Sequence, residues 1–267
     1  MRTVLFLTLA ALGGLSGFAE VRSKNTFAMV DVASTKANTI IAVPWTGADG
    51  DLRADRLVWP QGLTTGDMLL AVTNDVGYAG WILQPVAGDA GGARAWVPMS
   101  TAQRTDATSR VTWKDHDGTG TAARGTGLWL IRQNVSSAFT LYGIASDGAA
   151  EVTVRGVTSE SPATYTMIAS PNATRQVYIN QLPWPADKIG LSDQIVVPTS
   201  GMASQNYLWN SVKGKWYYGR TYVKDNGRLG TEYVYDLPIP AGTGFWYVRR
   251  TAGDFTLSFA APSGGAQ

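Results

Sequence analysis

Two short stretches of this 267-residue sequence bring carboxylates together beside glycine: Asp49, Asp51 and Asp55 in the first, Asp115 and Asp117 in the second. Carboxylates so spaced, with the backbone carbonyls between them, can converge on one hard cation, which is how calcium loops are made. Neither stretch completes a twelve-residue loop with a terminal glutamate. Solvated turns are therefore the plainer reading, and Asp115 and Asp117 are the candidate metal ligands. No cofactor other than that calcium is expected. The single histidine, His116, lies between the two aspartates, in Trp113-Lys114-Asp115-His116-Asp117-Gly118. A multi-histidine metal site is excluded. A Ser-His-Asp arrangement through His116 would lack the Gly-x-Ser-x-Gly elbow that exposes a nucleophile. The sequence has no cysteine, so a thiol nucleophile and a cysteine-bound zinc are both excluded.

Aromatic residues are the second group that could do chemistry. Trp59 and Trp184, Trp81 and Trp209, Trp96 and Trp216, and Trp129 and Trp246 recur in similar contexts, which points to shared core roles. Trp45 and Trp113 have no counterpart, and neither do Tyr217, Tyr233 and Tyr235. Tyr233 and Tyr235 share one face of a strand. Unmatched aromatics on a loop or an outer sheet face can stack on sugar rings or anchor a protein partner. An ordinary half-buried β surface is the competing reading.

The elements that carry these residues come in two copies. Gly125-Thr126-Gly127-Leu128-Trp129-Leu130-Ile131-Arg132 returns as Gly242-Thr243-Gly244-Phe245-Trp246-Tyr247-Val248-Arg249, and each copy is followed by Phe-Thr-Leu, at Phe139 and Phe255. Repetition at this length and order predicts two copies of one structural unit. The glycines precede strongly β stretches and open no helix, so they predict a tight turn entering a strand, not a phosphate loop. Ile40-Ile41-Ala42-Val43-Pro44 matches Met167-Ile168-Ala169-Ser170-Pro171, each an apolar run stopped by proline. Asp67-Met68-Leu69-Leu70 matches Asp193-Gln194-Ile195-Val196. The first copy carries insertions at 46–55 and 114–124, and insertions between fixed landmarks belong in loops. Glu151-Val152-Thr153-Val154 reads as a strand closing the first copy. A short helical turn fits Leu57 to Leu63.

Met1-Arg2, an apolar run from Val4 to Leu12 and the small residues of Gly17-Phe18-Ala19 form a secretory signal peptide, with cleavage expected after Ala19. No apolar run reaches the roughly 20 residues that a spanning helix needs. No integral membrane segment is therefore expected in the mature chain, which is placed in the periplasm, at the cell surface or outside the cell. The 22 basic and 20 acidic residues are dispersed and leave no electrostatic footprint for nucleic acid. Thirty glycines and 12 prolines predict a turn-rich β protein.

The short strand ending in proline, the segment Gly62-Leu63-Thr64-Thr65-Gly66-Asp67 and the closing Gly-x-Gly-aromatic strand resemble repeat units of exported bacterial proteins of unknown function. The resemblance spans about residues 40–145 and 165–260; the second copy lacks the Gly-Asp pair. It implies β architecture outside the cytoplasm and brings no catalytic residues with it. The expected organisation is all-β, with two tandem homologous sandwich- or barrel-like domains after a cleaved signal peptide. The parts are a signal peptide at 1–19, a lead-in at 20–38, repeat domains at 39–160 and 161–260, and a tail at 261–267. The expected function is an exported, non-catalytic binding or surface-structural protein whose partner is a glycan or an envelope protein. The alternatives are a hydrolase of extracellular polysaccharide, with its acids in the first-copy loops, and a filament or envelope subunit pairing through the strand Thr26–Val32.

Overall fold

Short apolar runs punctuated by glycine and proline become antiparallel strands, and among the described residues there is no α-helix. The computed structural model describes residues 27–32, 38–42, 45–46, 63–73, 77–85, 94–98, 127–133, 139–145, 150–169, 176–199 and 203–260. The signal peptide, the tail, Trp59, Trp113, His116 and the aspartates at 49, 51, 55, 115 and 117 lie outside these residues. So does the helical turn expected at Leu57 to Leu63, apart from Leu63 itself.

In chain order the strands are β1 (Phe27–Val32), β2 (Asn38–Ala42), β3 (Trp45–Thr46), β4 (Met68–Thr73), β5 (Gly77–Pro85), β6 (Arg94–Pro98), β7 (Gly127–Ile131), β8 (Phe139–Ala145), β9 (Ala150–Val154), β10 (Thr164–Ala169), β11 (Val177–Tyr178), β12 (Gln194–Pro198), β13 (Ser204–Asn210), β14 (Lys215–Val223), β15 (Leu229–Val234), β16 (Pro238–Ile239), β17 (Gly244–Arg249) and β18 (Phe255–Phe259). A 3-10 turn at Ile179–Gln181 follows β11.

Strand order is alike in the two halves. One sheet runs β2-β7-β4-β5-β6, the other β10-β17-β12-β13-β14-β15. Ile40 faces Trp129 as Met167 faces Trp246, and Ala42 faces Gly127 as Ala169 faces Gly244. Met68 is paired with Ile82 and Ile131, as Gln194 is with Leu208 and Val248. Outside these sheets β1 pairs with β8, Val32 facing Phe139, and β9 pairs with β18, Val154 facing Phe255.

Two expectations change on this register. Residues 151–154 do not close the first copy, because β9 pairs with β18 in the second half. The strand at 27–32, expected as lead-in, is paired inside the chain along the length of β8. Alternation alone shows that such a segment is a strand but not which strand it joins. The matching of Trp81 with Trp209 is also out by two residues. In the pairing register Trp81 corresponds to Tyr207, and Trp209 to Leu83. The slip is silent in the sequence because positions two apart share a sheet face. Trp96 and Trp216 do correspond, facing Leu83 and Trp209 respectively.

The core of the second half fills the space between its sheet and the β9–β18 ribbon. Val152, Val154, Phe255, Leu257 and Phe259 pack with Ile168, Ile195, Trp209, Trp216, Phe245 and Tyr247. Each fully buried aliphatic or aromatic side chain there contributes roughly 1.5–3 kcal/mol. Strand β17 is buried along its whole length because both its faces are covered. Phe245 and Tyr247 point into this core, whereas Trp246 joins Ile40 and Met167 where the halves meet. There the rings of Trp129 and Trp246 meet edge to face at 5.7 Å.

Local geometry gives the glycines of this repeated motif a reason. Gly242 takes φ +71°, a turn conformation that favours glycine. The Thr243 hydroxyl donates back to the Pro240 carbonyl at 2.8 Å, and its backbone bridges to Ile41 of the other half. A Cβ on Gly244 would lie 2.3 Å from the Ile168 carbonyl oxygen, and one on Gly127 would lie 2.5 Å from Ile40 Cγ2. In the second copy the motif is a turn followed by a point of close approach, and Gly127 shows the same close approach in the first.

Candidate functional site

Two polar–aromatic clusters stand out in the second half. The first is buried. Asp193 ends the turn that leads into β12, and Tyr247 and Arg249 project from β17 on the same side. None is more than 2% exposed. Asp193 Oδ2 accepts hydrogen bonds from the Tyr247 hydroxyl at 2.8 Å, Arg249 Nη1 at 2.9 Å and the Gly190 amide at 2.9 Å. Its Oδ1 accepts from the Arg250 amide at 2.7 Å and the Thr251 hydroxyl at 3.0 Å.

Arg249 uses the whole of its donor fork. Nε donates to the Gly253 carbonyl, Nη1 also to Lys188, and Nη2 to Ala252 and Gly253, all at 2.7–3.2 Å. The guanidinium lies 4.9 Å from the centre of the Phe255 ring. Burial, reinforced by the Asp193 charge, raises the Tyr247 phenol far above its ordinary pKa, so it stays a neutral donor. Every strong donor and acceptor of the cluster is used within the chain, and no side is open to a substrate. Its chemistry is structural: it ties the β12 turn to the end of β17 and to the 249–253 turn.

The first half carries a simpler relative of this cluster. Asp67 is fully buried and accepts from the Thr64 amide at 2.8 Å and the Gln133 amide at 2.7 Å. Arg132 is 3% exposed; burial lowers its pKa and the Asp67 charge works against that shift. Leu130 stands where the second half has Tyr247. Both Asp–Arg pairs lie inside the repeated motifs. The sequence therefore held the signal, two acids and two arginines at matched positions, but the acids read as turn residues.

The second cluster is open to solvent. Strands β14 and β15 form a hairpin in register from Tyr218–Val234 to Val223–Leu229. Beyond Tyr218, β14 has no further pairing with β13, and every β14 residue from Gly219 onward is exposed. At the root of the hairpin Tyr217 meets Tyr233 edge to face at 5.2 Å and Tyr235 at 5.9 Å. Tyr233 is 59% exposed. Asn180 pins this root from within, donating to the Trp216 and Tyr235 carbonyls and accepting from the Trp216 amide. Asn210 Nδ2 donates to the Tyr235 hydroxyl at 3.2 Å, while its Oδ1 accepts from the Lys213 amide at 3.0 Å. Lys213 Nζ lies 4.5 Å from the centre of the Tyr235 ring.

Of the sequence-predicted site residues, Tyr217, Tyr233 and Tyr235 therefore come together. Trp45 lies in β3, paired with Ala145 in another sheet, and its side chain is outside the described residues. Trp113, Asp115 and Asp117 are outside them altogether. Among the described residues no group of three or more His, Cys, Asp or Glu side chains could hold a metal ion. No helix among them is long and apolar enough to cross a membrane. Asn210 and Lys213 were not legible as site residues, because a β-turn sequence gives no hint of which ring it will support.

Comparison with protein-family models, with curated proteins and with solved structures found no match.

Proposed function

We propose that this chain is an exported, non-catalytic binding or surface-structural protein, and that it binds carbohydrate on the face formed by Tyr217, Tyr233 and Tyr235. The observation that carries this reading is the cluster of three tyrosine rings, Tyr233 exposed and Tyr217 and Tyr235 half-buried, held from beneath by backbone pairing and by Asn180 and Asn210. Tyrosine offers a flat, amphipathic surface with only two side-chain torsions to restrain, so contacts on it cost little entropy. The neighbouring buried acid is fully hydrogen-bonded within the chain, which favours binding over catalysis.

The same proposal includes two tandem homologous domains of sandwich- or barrel-like build behind a signal peptide at 1–19. The matched strand orders, the shared register at Ile40/Met167 and Gly127/Gly244, and a buried Asp and Arg at matched positions in each half support the duplication. The test is a glycan array probed with the full chain and with Tyr233→Ala. We expect retention on a subset of glycans and a loss of roughly tenfold in affinity on removing one stacking ring, within the range for a central aromatic contact. An array with no retained glycan, or equal retention by the variant, would sink the reading.

A further inference from the structure

Resting on that reading, we infer that the glycan taken by the tyrosine face is an acidic one, a polymer or oligomer bearing carboxylate or sulfate groups. The face is not only aromatic. Lys215 and Tyr217 are two apart on β14 and therefore point to the same side, and Lys213 leans over Tyr235 from the adjoining turn. Both lysines are exposed, and neither forms an ion pair with a described residue. The acidic residue of the paired strand segment, Glu232, is one position out of phase with Tyr233 and so lies on the opposite face. There it stands 4.0 Å from Arg220, which faces it across the strands. Alternation, with the Lys213 turn, thus sets the tyrosines and two lysines without an ion-pair partner among the described residues on one side, and the Arg220–Glu232 pair on the other.

The backbone of the turn that bears Lys213 is also held in place. Asn210 joins the turn bearing Lys213 to the Tyr235 hydroxyl, so ring and ammonium are presented together. A sugar stacked on Tyr217 or Tyr233 would bring its acidic substituents within reach of both ammonium groups. Attraction between unlike charges would then add to stacking and speed encounter. Nucleic acid also stacks on tyrosine, but binding it needs a groove of positive charge tracking the backbone. Two lysines in a chain of 22 basic and 20 acidic residues do not supply one.

The experiment titrates the full chain with a decameric oligogalacturonate, with the same oligomer fully methyl-esterified, and with oligothymidylate of equal length. The acidic sugar is expected to bind roughly 2- to 30-fold more tightly than its neutral ester at low salt, the worth of about two exposed ion pairs. That preference should vanish near 0.5 M salt, as screening predicts. Lys213→Gln with Lys215→Gln, checked for folding by near-UV circular dichroism, should bring the affinity for the acid down to that for the ester. Equal binding of acid and ester would overturn the acidic-glycan inference while leaving sugar binding intact. Binding of neither would overturn both. Tighter binding of oligothymidylate than of the acidic sugar would reassign the face to nucleic acid.

Discussion

The buried Asp193 cluster and the exposed tyrosine face use nearly the same chemistry. Each sets a cation beside an aromatic ring, Arg249 at 4.9 Å from the centre of Phe255 and Lys213 at 4.5 Å from that of Tyr235. Each has a tyrosine hydroxyl in a hydrogen bond, to Asp193 in one case and from Asn210 in the other. The difference is what remains free. In the buried cluster all the donors of the guanidinium have partners within the chain, and Tyr247 and Asp193 are fully buried. At the root of the hairpin the Tyr233 ring and the Lys213 side chain are exposed. Residue type therefore identifies neither cluster as a site. Unused bonding capacity separates them, and the binding role proposed for the hairpin rests on it.

The comparison breaks most visibly at Arg249. Arg249→Met leaves the Asp193 carboxylate buried without its counter-charge, and breaking a buried pair from one side costs about 3–5 kcal/mol. Urea unfolding should show that loss as a lower midpoint at unchanged slope. Replacing both partners, Asp193→Leu with Arg249→Met, should recover part of it, because no uncompensated charge then remains. A single-variant loss below about 1 kcal/mol would mean that the amides of Gly190 and Arg250 and the hydroxyls of Tyr247 and Thr251 hold the carboxylate without the guanidinium. Below its unfolding transition the variant should still bind at the tyrosine face, since the two clusters share no side chain.

How much of this was legible differs between the clusters. The β character, the turn at Gly242 and the partnership of Ile40 with Met167 followed from local pattern, because period-two alternation and glycine punctuation are local signals. That Tyr233 and Tyr235 share a face followed from the same alternation. That Tyr217 joins them depends on the register of β14 against β15, which no single strand encodes. The Asp193–Arg249 contact was harder still. Its partners are 56 residues apart and meet only because β12 pairs with β17. Trp209 shows the opposite failure: a matching residue type suggested a partner, and the true register displaced it by two positions on the same face. The Asp115 and Asp117 loop was the most conspicuous chemistry in the sequence, and it falls outside the described residues.

A medium effect sharpens the comparison through pH. In the unfolded chain Tyr247 should ionise near the ordinary tyrosine value of about 10. In the folded chain burial and Asp193 hold it neutral well beyond that. Its folded pKa is thus raised, so the stability it contributes is complete below pH 10 and is lost as pH climbs toward the folded value. Tyr207, also raised by burial and by Tyr218, adds in the same sense. Denaturant midpoints should therefore fall steeply above pH 10. Tyr247→Phe should cost about 1.5–3 kcal/mol at neutral pH, the loss of one hydrogen bond to a charged acceptor, and should flatten the alkaline fall. An equally steep fall in the variant would place the titrating group elsewhere.

The smallest effect on stability is expected at the tyrosine face itself. Tyr233 is 59% exposed and sits over no core side chain, so Tyr233→Ala removes one edge-to-face contact with Tyr217, worth about 0.5–1 kcal/mol. Thermal unfolding should shift by only a few degrees, while affinity for a retained glycan falls roughly tenfold. A loss of stability as large as that of Arg249→Met would make the ring a structural support of the hairpin. It would also remove the contrast between a cluster closed on itself and one held open. A small stability change with a large binding change is the pairing that separates a presented side chain from a packed one, because a packed ring cannot be removed without disturbing what it packs against.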